Sequence, residues 1–323
     1  MKKIQTIKTQ IKLTALALLL AAFNLQPSTA FAQGSLTPPG APAPVMKSLD
    51  QVYAKLDART AITNANSTYY ITVPGSYYLT TNLTVNSANG ISINASGVTL
   101  DLNGFTISST SASAAYSGIS VNADGACDLA IFNGHIRSGV TNDGRGVYAG
   151  GGFACGITFD PGHSLTNVVV SKVTVFGVSV YGINLYLETG SGTMVENCTV
   201  MTAGSAGITA SIVKGSVASD CFTAISGDQV VDCRGSGTFN GIIASATAQN
   251  CYGRSSGNGF GLSAATAQNC NGTNSSTGTG LSATVAQNCF GSSASGVGIN
   301  ATIANSCWIG HGTTNITYNY NMP

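Results

Sequence analysis

Along most of the chain the apolar residues come in short runs, either alternating with polar ones or β-branched, as half-buried strands require. Val98, Leu100 and Leu102 alternate with Thr99 and Asp101, and Leu129 to Ile136 is a second such run. Each run is too short for a helix, and Gly or Asn punctuates nearly every one. Self-similarity then orders the runs. In the last third a unit recurs in which Gly and an apolar residue lead, about eight residues later, to Asn-Cys-x-Gly. It is found from Gly241 to Cys251, Gly261 to Cys270, Gly280 to Cys289, and in looser form from Gly298 to Cys307. From Cys233 to Cys307 the cysteines step by 18, 19, 19 and 18 residues. Longer units lead from Gly182 to Cys198 and from Gly207 to Cys221. A period of this size, built of strands, predicts one solenoid coil per repeat. At roughly 4.8 Å per coil, about ten to twelve coils give a rod on the order of 50 Å long.

Two segments depart from this pattern. Val45, Leu49, Val52, Tyr53 and Leu56 recur at helical spacing, which predicts an amphipathic helix over 45–60. It would either cover the open end of a stacked core or dock a partner. Before it, Pro38, Pro39, Pro42 and Pro44 make 33–44 an extended linker. At the start, Lys2, Lys3, Lys8 and Lys12 precede an 11-residue apolar run, Leu13 to Phe23, and Ala30-Phe31-Ala32 follows. That is a secretory signal over 1–32, with cleavage near Ala32. The run is too short to cross a bilayer. The expected location is therefore secreted, cell-surface or periplasmic, with no transmembrane segment.

Composition narrows the choice. Only 8% of the 323 residues are charged and 40 are glycine, against roughly 25% charged in an average domain. Helical bundles need charged outer faces. Nucleic-acid binders need a basic footprint, and the formal net charge is +1. An all-β chain with many tight turns remains.

Val73-Pro-Gly-Ser-Tyr-Tyr-Leu-Thr-Thr-Asn-Leu-Thr-Val85, and the run from Ile91 through Asp101-Leu-Asn-Gly104 to Ile107, resemble the opening coils of bacterial secreted right-handed parallel β-helix repeat proteins of the pectate-lyase-like superfold. The Pro-rich lead-in with Met46-Lys-Ser-Leu-Asp-Gln51 resembles their N-terminus. The resemblance covers about 38–320. It implies an all-β, right-handed parallel β-helix over 61–323 with a short N-terminal helical cap. It leaves activity open, because this fold hosts lyases, hydrolases, adhesins and structural proteins.

Seven of the nine cysteines, Cys198 to Cys307, are expected to stack as one inner column. Buried thiols, some disulfides and, least favoured, metal binding stay open for them. The residues before them, from Asn197 to Ser306 and including Asp220, suit a left-handed corner. The residues after them, Phe222, Arg234, Tyr252, Asn271, Phe290 and Trp308, would point outward. They form either a sugar-stacking stripe or rings packed at a turn.

Candidate catalytic groups are sparse. No acidic residue follows Asp232. Gly310-His311-Gly312 matches a polygalacturonase tripeptide but stands without that family's aspartates. Asp143, Arg145 and Asp160, with His163 or His135 as base, are the best cluster, within 124–163. Turn chemistry in Asn142-Asp143-Gly144 and Asp160-Pro161-Gly162 competes with that reading. The expectation is a non-catalytic structural, polysaccharide-binding or cell-surface-binding protein whose partner is a polysaccharide or surface glycan, not nucleic acid. The alternative is a polysaccharide lyase with its site around 124–163. No metal site or cofactor is expected; for a lyase, the resemblance implies calcium.

Overall fold

The computed structural model describes residues 48, 58–63, 66–123, 125–159, 165–185 and 192–321. The expected signal and linker, and nearly all of the expected cap helix, lie outside these residues. At the end of the cap range, Thr60 already begins a strand, Thr60–Ile62. The chain divides into two compact units at Asp57/Ala58, and the second holds every described strand. Among the described residues there are strands and no helix, and no helix is long and apolar enough to cross a membrane.

The strands join into one long parallel sheet of 24 strands, consistent with a β-solenoid, plus a two-stranded antiparallel hairpin. Three ladders run along it. The first passes in register from Tyr69 through Ile91, Ile119 and Ile157 to Leu281, Ile299 and Thr314, twelve rungs in all. The second precedes a corner and the third follows it. In the middle of the stack, continuous strands such as Thr199–Lys214 and Arg234–Gln249 serve all three ladders.

The core tapers, and the sequence shows why. Inward positions of the second ladder pass from Ile131 through Val170, Val195, Val213 and Val230 to Ala248 and Ala267. Those of the third pass from Ile107, Ile136 and Val175 through Val200 and Ala218 to Gly235 and Gly253. Smaller side chains let the ladders approach until backbones touch. A Cβ on Gly261 would lie 2.4 Å from both the N and the O of Thr273, so no larger residue fits. Coil length ranges from 38 residues between Ile119 and Ile157, a coil that carries the two-stranded hairpin, to 18 between Leu281 and Ile299.

The corner between the second and third ladders is left-handed. Asn103, Asn133, Lys172, Asn197, Asp232, Asn250, Asn269, Asn288 and Ser306 hold φ between 51° and 64° there. Asn tolerates this conformation better than most residues. The amides also link the coils: Asn250 Nδ2 donates to Asp232 Oδ1 at 3.0 Å, and Asn269 Nδ2 to Asn250 Oδ1 at 3.2 Å.

All nine cysteines are unpaired. The inner column needs one correction. It contains Cys198, Cys233, Cys251, Cys270, Cys289 and Cys307, with Ser216 where Cys221 was expected. Gly215-Ser216 therefore occupies the corner in that coil. Asp220-Cys221 lies farther along the third ladder, with Cys221 opposite Ala203 and Gly237. The physical role of the column is common to both side chains. Each thiol donates to the carbonyl two residues before it, as in Cys251 Sγ to Gln249 O at 3.1 Å. Ser216 Oγ does the same to Lys214 O at 2.9 Å. Burial pushes the Cys198 thiol up to about 11 and Cys233 up to about 12.

Candidate functional site

The third ladder positions the most distinctive surface. After the corner, one residue turns inward and the next points out, so a single outward column repeats coil by coil. Arg234, Tyr252, Asn271, Phe290 and Trp308 occupy five consecutive rungs of it. The Arg234 guanidinium lies 5.0 Å from the centre of the Tyr252 ring. Trp308 is 62% exposed, while Tyr252, Asn271 and Phe290 are half-buried. Asn271 Oδ1 is buried without a hydrogen-bond partner, in the rung between Tyr252 and Phe290.

Phe222 does not belong to this column. Val217 takes its expected place opposite Arg234. Phe222 lies five residues farther along and stacks on Phe239, with ring centres 5.0 Å apart and planes 8° apart. The Asp-Cys pair at 220–221 imitates the Asn-Cys corner in sequence, and this shifted the expected register by part of a coil.

The expected catalytic residues that are described lie on two elements. His135 stands exposed on strand Ala126–Arg137, in the same outward column as Arg234. Asp143 and Arg145 lie between the arms of the hairpin formed by Thr141–Asn142 and Tyr148–Ala149. Asp143 Oδ1 accepts from the Arg145 and Val147 amides at 2.7 and 3.1 Å, so this carboxylate shapes its own turn. No hydrogen bond or ion pair joins His135 to Asp143 or Arg145 among the described residues. Asp160 and His163 lie outside the described residues, as does Asp124. His311 Nδ1 sits 2.9 Å from the Ser293 carbonyl, a contact within the scaffold. Among the described residues no group of three His, Cys, Asp or Glu side chains is placed to hold a metal ion.

Comparison with protein-family models, curated proteins and solved structures finds no match.

Sequence reasoning missed one cluster. The hairpin folds onto the third ladder, where Asn142 Nδ2 donates to Asp220 Oδ1 at 2.6 Å and Thr202 Oγ1 to Asp220 Oδ2 at 2.7 Å. Thr202 and Asp220 both hold positive φ, 64° and 55°, unusual for a β-branched residue. The Tyr148 hydroxyl is buried without a well-formed hydrogen bond. Burial pushes it up to about 12, with Thr238 beside it pulling the other way and Asp220 adding to the rise. Nothing in the local sequence marks this pairing, because hairpin and coil are 78 residues apart.

A second surface is a shallow trough of about 620 Å³, where the first ladder turns toward the second. Its lining is small and polar: Ser263, Ser282, Asn300 and Asn315 on one side, Ser245, Thr284 and Thr302 on the other.

Proposed function

We propose that this chain is an exported right-handed parallel β-helix protein that binds polysaccharide or cell-surface glycan without cleaving it. The observation that carries this reading is the outward column Arg234–Tyr252–Asn271–Phe290–Trp308 on successive coils. Aromatic faces carry negative quadrupole charge and attract the C–H faces of sugar rings. Asn271 between the rings and Arg234 at the end of the column supply donors for sugar hydroxyls. Coils about 4.8 Å apart present these groups as a linear array, suited to a chain of sugars more than to one ring.

The test is retention on a polysaccharide panel. The double variant Tyr252→Ala/Trp308→Ala is expected to lose at least tenfold in affinity for a glycan that retains the wild type. Unchanged retention removes the column from consideration. Unsaturated uronide absorbance after incubation with the panel and calcium would show a lyase instead.

A further inference from the structure

We infer that the outward face of the third ladder selects polymers bearing oxyanions (carboxylate or sulfate groups) over neutral ones, an inference that rests on the glycan-binding reading above. Two outward columns make up this face. One runs from Thr106 through His135 to Trp308, and the other from Thr84 through Ser108 and Arg137 to Ser292, ten rungs each. Neither contains an acidic residue. Both contain arginines: Arg234 in the first, Arg137 and Arg254 in the second, all exposed.

None of these three arginines has an ion pair among the described residues, although the chain has carboxylates to offer. Those carboxylates are satisfied elsewhere. Asp101 pairs with Arg59 at 3.0 Å. Asp128, Asp220, Asp228 and Asp232 accept from Asn167, Asn142, Ser245 and Asn250 respectively, all neutral donors. The two columns thus carry three arginines and no carboxylate, and Asp220, next to Ser219 on the same ladder, is taken up by Asn142 and Thr202. The neighbouring corner is balanced, since Lys172 shares its column with Asp232, and Glu196 stands in register with Lys214.

Two of the three arginines are also pre-set. Arg137 lies over the Phe176 ring at 5.2 Å and Arg234 over Tyr252 at 5.0 Å. A ring under the guanidinium orients its fork and leaves N–H groups free for bidentate contact with an oxyanion. Arg137 sits in a depression of about 490 Å³ with Thr84 and Ser108, whose hydroxyls bond each other at 3.1 Å and leave one proton to donate outward. Arg234 and Arg254 stand on adjacent rungs, and Arg137 is five rungs from Arg254, about 24 Å away at 4.8 Å per rung. A single sugar cannot bridge that span, but a polymer lying along the stack can. Exposed Met201 and Val217 fill the rungs between and offer apolar contact to the sugar backbone.

The test uses the full chain against polygalacturonate, dextran sulfate, neutral dextran, monomeric galacturonate and duplex DNA at low salt. The wild type is expected to bind at least one of the two anionic glycans tenfold or more tightly than neutral dextran. The variant Arg137→Gln/Arg254→Gln, which leaves the aromatic column intact, is expected to lower that preference at least fivefold while keeping neutral-glycan binding. Equal wild-type affinity for neutral and anionic glycans, or an unchanged preference in this double variant, overturns the inference but leaves glycan binding standing. Monomer binding as tight as polymer binding overturns the multi-coil arrangement. DNA binding as tight as the glycans overturns glycan selectivity. Binding to none of the glycans removes the glycan reading itself.

Discussion

The Asn142 amide donates to the Asp220 carboxylate at 2.6 Å across 78 residues of sequence. This contact fastens the hairpin at 141–149 onto the third ladder, beside the register irregularity between Ser219 and Thr223. Asn142 has a second task, since its Oδ1 accepts from the Gly144 and Gly146 amides at 3.0 and 3.2 Å.

Asn142→Ala removes both sets of contacts. A hydrogen bond to a charged group is worth about 1.5–3 kcal/mol. Amides 141–149 should therefore exchange with solvent at least tenfold faster, while the strands around Leu262 and Leu281 stay protected. Unchanged exchange in the hairpin would show that Asp220 does not hold it.

At the corner, Asn269 holds φ at 52°. Asn269→Ala should lower the denaturation midpoint by more than Asn269→Gly, because a left-handed alanine costs about 1–2 kcal/mol and glycine avoids that cost. Both lose the bond from Asn269 Nδ2 to Asn250 Oδ1. Equal midpoints for the two variants would assign the corner to the amide ladder alone.

Gly261→Ala tests the taper. Its new Cβ would lie 2.4 Å from two backbone atoms of Thr273, neither of which is a side chain that can swing away. Loss of the soluble folded form is expected, or a stability lowered by about 1–3 kcal/mol, as overpacked cores show. A variant as stable as the wild type would contradict the close approach of the two ladders.

The repeat period, the parallel strands and the left-handed corner were legible in the sequence because each coil repeats the same steric problem. Asn250, Asn269 and Asn288 solve it in the same way, and so does Lys172, which carries no such signature. The inner column was legible wherever Asn-Cys marks it. It failed at Gly215-Ser216, because serine can replace the thiol as donor to the i−2 carbonyl while glycine replaces the asparagine. Sequence alone then transferred the role to Asp220-Cys221, one strand segment too late. The hairpin contact and the arginine face were not legible at all. Both depend on which coil lies beside which, and coils between 69 and 183 vary too much in length for counting to give that.

Alkaline pH should destabilise the fold. In the folded chain burial raises the thiols of Cys198, Cys221 and Cys233 from 9.0 to about 11, 12 and 12. Between pH 9 and 11 the unfolded chain loses these protons and the folded chain keeps them. Stability should thus fall by about 1.4 kcal/mol per pH unit for each such thiol. Below pH 9 both states are protonated and the effect vanishes. A denaturation midpoint that stays level from pH 8 to 11 would contradict it. In the native state at pH 8, iodoacetamide should label the half-exposed Cys127 before any member of the buried column.

The central claim is that glycan lies on the outward face of the third ladder. Hydrogen exchange measured with and without a polysaccharide that binds the full chain tests it most directly. New protection should centre on 234–237, 252–255, 271–274, 290–293 and 308–309. Protection confined to the trough around Ser263, Ser282 and Asn300, with the third ladder unchanged, would contradict the account.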